Sequence, residues 1–321
     1  MHPSFLLEVR SQCPNELTEQ RANLQNDTRT SMPHFDSLRV VRRLLAGLFL
    51  VAVVNTDAMA DDAATLESRI QKRSYNFKEA GKEVVYTLFV PNSYDADQPN
   101  KLLVLLHGLG SNPNQVIRYQ GIVQQAEEHG YIVVAPYGYN ERGWYGSRGY
   151  GNKFARGFRN RNKGTINEPE NLGELSEKDV FNVLAIVREE FNIDDDRMYL
   201  AGHSMGGGGT FHIALKTPEI WAGLAPMSPA IYTSPDKLEN ARHLPFIVVQ
   251  GDKDRLVPVA IARRWVKKMV ELGIEHEYIE IPGGNHVSSI AKNPEMIATV
   301  FAFFNSHTRQ EMNQLAGAVA E

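Results

Sequence analysis

Apolar and polar positions between about residues 66 and 308 follow two rhythms. In "RSYNFKEAGKEVVYTLFVP" the apolar residues recur at every second position on both sides of Gly81, which predicts an antiparallel hairpin turning at that glycine. "KLLVLLHG" and "YIVVAPYG" are short, nearly unbroken apolar runs, as expected of strands covered on both faces. "RMYLAG", "GLAPMS", "PFIVVQG" and "EHEYIEIPG" read as four further strands. The segments between them carry helical spacing. "QVIRYQGIVQQAEEHG" predicts a helix ending at Gly130. In "SEKDVFNVLAIVREEFN" the apolar positions Val180, Val183, Leu184, Ile186 and Val187 share one helical face, and Ser176 with Asp179 forms an S-x-x-[DE] capping pattern. "PVAIARRWVKKMVELG" and "NPEMIATVFAFFNSH" complete the helices. An antiparallel start followed by repeated strand–helix units predicts an α/β fold: a mostly parallel sheet with antiparallel N-terminal strands and helices on both faces. Beyond Arg309 the tail is expected to fray.

One segment breaks its own rhythm. "YLAGHSMGGGGTFHIAL" places four glycines, Gly206 to Gly209, where a helix should begin. Each helix-interior glycine costs about 1 kcal/mol relative to alanine. A phosphate loop would need G-K-[ST] at its end, and Thr210 and Phe211 follow instead. The residues Gly202-His203-Ser204-Met205-Gly206 fit G-x-S-x-G between a predicted strand and a predicted helix. In that context the turn is so sharp that only glycine fits on either side, and the serine hydroxyl is held out toward substrate. Gly206 is then required, and Gly207 serves tight packing of the helix start; Gly208 and Gly209 have no strict requirement that the sequence reveals.

A serine hydroxyl needs an oriented base. In this strand–turn–helix setting the chain order is nucleophile, acid, histidine. "VVQGDKDRLVP" offers Asp252 and Asp254; Asp254, three residues after Gly251, is better placed to swing across to a histidine, and Asp252 reads as a turn residue. "IEIPGGNHVSS" offers His286, while His107 and His203 read as members of glycine turns. The expected oxyanion donors are the N–H groups of Met205 and of Leu109, the latter in the His107-Gly108-Leu109-Gly110 turn.

The N-terminal region is set apart. "SLRVVRRLLAGLFLVAVVNTDAMADDAA" has Arg39, Arg42 and Arg43, an apolar run from Leu44 to Val54, and Ala58-Met59-Ala60. This is the layout of a secretory signal peptide cleaved after Ala60. The run is short for a membrane span, so no stable membrane insertion is expected after cleavage. Three regions follow: 1–31 as an over-long extension ahead of Met32, 32–60 as signal peptide, and 61–321 as one catalytic domain, secreted or periplasmic. The single cysteine, Cys13, lies ahead of the cleavage point, and a domain of this size holds together without disulfides.

Composition adds little. The chain has 321 residues, 42% hydrophobic and 22% charged, with a net charge of −4, and this mild acidity argues against nucleic acid as the partner. There is no H-E-x-x-H and no close His/Cys/Asp spacing for a metal, and no cofactor is expected. The connection from Gly138 to Gly173 is unusually long. It interleaves Arg142, Arg148, Lys153, Arg156, Arg159, Arg161 and Lys163 with Trp144, Tyr145, Tyr150, Phe154 and Phe158. Two readings stand: a cover that contacts an aromatic, sugar or acidic substrate through Trp144 and Tyr145, or an ordinary excursion with packed aromatics. Ile231 and Tyr232 are candidates for lining an acyl pocket.

Taken in order, these motifs resemble the α/β-hydrolase superfamily over nearly all of residues 61–321. The stretch from Ser176 to Ala230 further resembles the feruloyl esterase and polyhydroxybutyrate-depolymerase-like group, and stand-alone hydrolase domains related to prolyl oligopeptidase. The resemblance implies a Ser204, Asp254 and His286 triad, an acyl-enzyme intermediate and a small-molecule or polymer ester as substrate. Two departures matter. Depolymerase-like members often carry cysteines, absent here after Cys13, and the peptidase relatives carry a β-propeller, also absent. The second favours esterase over peptidase or amidase activity. The intact triad argues against a non-catalytic binding module. Oligomeric state is not legible in these motifs.

Overall fold

A computed structural model describes residues 64–151 and 168–310. Eight strands form one sheet. They are β1 (Gln71–Phe77), β2 (Lys82–Phe89), β3 (Asn100–Leu106), β4 (Tyr131–Pro136), β5 (Ile193–His203), β6 (Gly223–Met227), β7 (Phe246–Gly251) and β8 (His276–Ile281). Their spatial order is β1-β2-β4-β3-β5-β6-β7-β8. β1 and β2 pair antiparallel around Gly81, whose φ of 60° is the left-handed conformation that glycine tolerates. β2 runs antiparallel to β4, and every later pairing is parallel. This is the expected α/β architecture.

Five helices of eight or more residues are described: α1 (Ile122–His129), α2 (Leu172–Glu190), α3 (Met205–Lys216), α4 (Val259–Leu272) and α5 (Pro294–Asn305). The unbroken apolar character of the strands follows from burial on both sides. In β3, Leu102, Val104 and Leu106 join a cluster with Val183 and Leu184 of α2, Phe211 of α3 and Trp265 of α4. Leu103 and Leu105 point the other way, into a cluster with Val123 of α1 and Phe301 of α5. Neighbouring residues of one strand thus feed opposite cores, and neither face tolerates polar positions.

Two local expectations are corrected. The segment from Gln115 to Gly130 is not one helix. A short helix, Pro113–Val116, stops, and α1 restarts after Gly121, which sits at φ 96°. A Cβ there would come within 3.1 Å of the Pro294 Cα, so close packing on α5 imposes the break. Ser176 and Asp179 also do not begin a helix. α2 starts earlier, at Leu172, and both side chains serve the long connection instead: Ser176 Oγ accepts from the Tyr145 N–H at 2.9 Å and Asp179 Oδ2 from the Gly138 N–H at 2.6 Å.

The N-terminal extension, the signal-peptide segment and the residues from Lys153 to Lys163 singled out above lie outside the described residues. Among the described residues, no helix is long and apolar enough to cross a membrane.

Candidate active site

The carboxyl ends of the parallel strands place the chemistry. β5 ends at His203 and α3 begins at Met205, leaving Ser204 alone in the turn with φ 59° and ψ −116°. Such a backbone costs about 1–3 kcal/mol and persists only where the surroundings fix it. Here three bonds do so. The Ser204 N–H donates to the Met227 carbonyl at 2.9 Å, and the Ser204 carbonyl accepts from the N–H of Ala230 at 2.9 Å and of Gly208 at 3.0 Å. A Cβ on Gly202 would collide with the Gly206 carbonyl, and one on Gly206 with the carbonyl of Leu106. Both glycines of the motif are therefore dictated by contact.

Ser204 Oγ lies 2.8 Å from His286 Nε2, and His286 Nδ1 lies 2.6 Å from Asp254 Oδ2. His286 comes from the loop after β8 and Asp254 from the loop after β7, so three strand ends converge. Burial of Asp254 would raise its pKa. The N–H of Val257, the His286 ring and the N–H of Leu256 outweigh that and hold the carboxyl below its usual range. Both N–H groups reach Asp254 Oδ1 at 2.8 Å. Asp254 is thus a fixed carboxylate that requires a proton on Nδ1, which leaves Nε2 free to accept from Ser204. Asp252 plays no part in this line: its N–H bonds Ile281 O at 3.2 Å, and its Oδ1 is buried without a hydrogen-bond partner.

The Met205 N–H is the first of α3 and has no intrahelical acceptor. The Leu109 N–H lies in the turn after β3, where Gly110 N–H bonds Glu141 O at 2.9 Å and Ser111 N–H bonds Gly108 O at 3.1 Å. Neither the Met205 nor the Leu109 N–H finds an acceptor among the described residues. The Gly108 Cβ position is 3.3 Å from Ser204 Cβ, so this turn abuts the serine, and a side chain there would crowd it.

Three residues at the site escape sequence reasoning. Gln250 ends the apolar β7; its amide donates to Asp254 Oδ2 at 3.1 Å. Its signal is a lone glutamine in "FIVVQG". His203, read above as a turn residue, is buried, and its Nε2 lies 2.7 Å from the His286 carbonyl oxygen. Since a carbonyl only accepts, Nε2 carries the proton, and Nδ1 accepts from the Tyr119 hydroxyl at 2.9 Å. Burial, with a contribution from His286, lowers the His203 pKa to about 4, so the ring is neutral near pH 7. Tyr119 stands just before the helix break at Gly121, which no local pattern announces.

The aromatic candidates separate. Tyr145 is wholly buried; its hydroxyl accepts from the His107 N–H at 3.0 Å and donates to the His107 carbonyl at 3.2 Å. It ties the long connection to the end of β3 and exposes no surface to a cleft. Trp144 is nearly buried, and Tyr232 is 48% exposed. Arg148 lies between them, 4.1 Å from each ring. Ile231 is buried in the core beside Ala230. Among the described residues, no group of three or more His, Cys, Asp or Glu is placed to hold a metal ion.

The model of the Esterase family, described as "Putative esterase", matches residues 78–288. Cutinase 2 of Thermobifida cellulosilytica is 31% identical over 94 residues, which is 29% of this chain and 34% of that protein. The bis(hydroxyethyl) terephthalate hydrolase of Streptomyces coelicolor is 29% identical over 153 residues, 46% of this chain and 47% of that protein. The matches thus span about a third to a half of these relatives' lengths. Among solved structures, a thermostable esterase superposes with a TM-score of 0.57 at 23% identity, covering 76% of this chain and 64% of that one. A ferulic acid esterase gives 0.56 at 16% identity, covering 73% and 97%. These likenesses establish an α/β-hydrolase fold, and with a family match that spans more than half of its length the chain belongs to the Esterase family.

Proposed function

We propose that the protein is an exported serine hydrolase that cleaves carboxylic esters through an acyl-enzyme, with Ser204, His286 and Asp254 as its catalytic residues. The observation that carries this reading is the unbroken line from Asp254 to His286 to Ser204, at 2.6 and 2.8 Å, ending on a serine held in a left-handed turn. His286 Nε2 takes the hydroxyl proton as Ser204 Oγ attacks the ester carbonyl carbon. The Asp254 carboxylate stabilises the imidazolium that forms. Negative charge collects on the former carbonyl oxygen, where the unengaged N–H groups of Met205 and Leu109, with the positive end of α3, stabilise it. His286 then passes its proton to the departing oxygen. Water then attacks the acyl carbon as His286 Nε2 takes its proton, and the same nitrogen returns that proton to Ser204 Oγ as the acyl–oxygen bond breaks and the acid leaves.

The names of the matched relatives, a cutinase and a terephthalate ester hydrolase, support polymer and aromatic esters as the substrate range. The Arg148 stack with Trp144 and Tyr232 offers an aromatic edge for an acyl group, because the loop bearing Tyr232 is bonded to Ser204 through Ala230. The charged and apolar run ahead of Ala60 supports export.

The test is Ser204→Ala, assayed on short p-nitrophenyl esters. Turnover is expected to fall to background while circular dichroism and melting temperature match the wild type. Undiminished turnover in a folded variant excludes this mechanism.

A further inference from the structure

A cleft of about 390 Å³ opens beside His286, walled by the loops after β7 and β8. Its lining is Lys253, Arg255, Leu256, Asn285, His286 and Val287. Two features make it unlike the surrounding surface. Leu256 is 68% exposed and Val287 50%, an apolar pair standing in solvent next to the candidate general base. Lys253 and Arg255 make no side-chain hydrogen bond, ion pair or ring contact among the described residues. Arg255 differs in this from the other described arginines: Arg69, Arg73, Arg118, Arg142, Arg188, Arg197, Arg242, Arg263 and Arg309 each pair with a carboxylate, Arg264 bonds the Thr233 carbonyl, and Arg148 lies against the Trp144 and Tyr232 rings. Asn285 has its amide committed to Ser288 and to the Val287 and Ser288 N–H groups, so the lining's recognition chemistry rests on two cations and two aliphatic side chains.

The mechanism gives this cleft a direction. One nitrogen, His286 Nε2, takes the Ser204 proton and then delivers it to the oxygen that departs. As the Ser204 Oγ–acyl bond forms and the ester C–O bond breaks, the leaving alcohol must therefore lie against His286. His286 itself forms part of the cleft wall. An anionic group there meets two cations that are in ion-pair contact with no carboxylate among the described residues, while an apolar body covers Leu256 and Val287.

We propose that the leaving-group subsite selects esters whose alcohol part is itself a hydroxy acid, an apolar or aromatic body ending in a free carboxylate held by Lys253 and Arg255. The proposal rests on the esterase reading above. It extends that reading from the bond cleaved to the class of alcohol released. Exposed ion pairs are individually weak, so each cation should supply up to about fivefold in selectivity.

The test compares 4-acetoxybenzoate with its methyl ester, two acetyl esters that differ in leaving-group charge. Expressing variants relative to wild type cancels their different intrinsic reactivity. Lys253→Gln and Arg255→Gln are each expected to lower the anionic-to-neutral ratio of kcat/KM by about threefold to fivefold, and the double variant by about tenfold. The loss should appear in KM for the anionic ester, with the neutral ester unchanged within about twofold. Raising NaCl from about 20 to 500 mM should lower the wild-type ratio and leave that of the double variant nearly level. Lys267→Gln, on α4, changes net charge equally and should not move the ratio. An unaltered ratio in the double variant overturns the proposal, as does an equal fall in Lys267→Gln, which would mark a net-charge effect. Absence of wild-type turnover on both esters would instead count against the esterase reading itself.

Discussion

His203 shows how much a single side chain can fix at a distance from the reacting atoms. Its ring is not in line with Ser204; it holds the carbonyl of His286 at 2.7 Å and takes a hydrogen bond from Tyr119 at 2.9 Å. Because the acceptor is a carbonyl, the tautomer is fixed. Because the pKa is depressed to about 4, the donor stays neutral and in place across the working range of an imidazole base. His203 is thus a positioning residue for the loop that carries His286. Replacing it with phenylalanine removes the donor but keeps a ring; kcat is expected to fall about tenfold with KM nearly unchanged, since angstrom-scale misplacement of a catalytic group lowers rate more than binding. His203→Gln restores an N–H near the Nε2 position and should recover most of the loss. Steady-state kinetics on one p-nitrophenyl ester checks both, and equal losses in the two variants would reduce His203 to a packing role. The serine, the aspartate and the histidine of the line were legible because each follows a strand in a fixed order. Tyr119 and the tautomer of His203 were not, because both depend on a partner more than eighty residues away.

The four glycines at the start of α3 extend the same point to an element. Sequence patterning accounts for Gly206 and suggests tight packing for Gly207. The structure gives each glycine its own neighbour: a Cβ would meet the Leu106 carbonyl at Gly206, the Met227 carbonyl at 2.7 Å at Gly207, the Ala230 carbonyl at 2.5 Å at Gly208, and the Tyr145 ring at 2.7 Å at Gly209. α3 is pressed on several sides by backbone and by one buried aromatic ring, so its intrinsic propensity is sacrificed to approach distance. Gly208→Ala forces Cβ against a carbonyl oxygen that cannot rotate away. An overpacking penalty of about 1–3 kcal/mol is expected, read as a lowered urea midpoint at unchanged m. The bond from the Ala230 N–H to the Ser204 carbonyl should loosen with it. Periodicity could not announce this, nor the break at Gly121, nor the diversion of Ser176 to the Tyr145 N–H and of Asp179 to the Gly138 N–H. All three are decided by what packs against the segment rather than by the segment itself. The strands were legible for the opposite reason: burial on both faces writes itself into composition.

Stability as a function of pH joins two buried groups that no sequence pattern connects. Asp179 is fully buried. Burial pushes its pKa up to about 6, against the opposing pull of Tyr75, the N–H groups of Tyr139 and Gly138, and Lys82. Its folded value lies above the ordinary 3.8, so the folded state holds this proton more tightly, and its contribution is lost as pH rises toward and through 6. His203 has the opposite sign. Its folded value of about 4 lies below the ordinary 6.5, so the unfolded chain takes up a proton first, and stability is lost as pH falls from 6.5 toward 4. Between pH 7 and 5 the two contributions are about 1–2 kcal/mol each and opposed, which flattens the wild-type curve. The lowered carboxyls, Asp254, Glu141 and Glu177, lose their contributions mainly below that window. Removing either group should expose the other. In His203→Gln the melting temperature at pH 5 should rise relative to that at pH 7, compared with wild type; in Asp179→Asn it should fall. Each comparison is internal to one variant, so an overall loss of stability does not disturb it. Calorimetry at the two pH values in all three proteins decides the matter, and parallel shifts in the two variants would show that these groups do not set the slope.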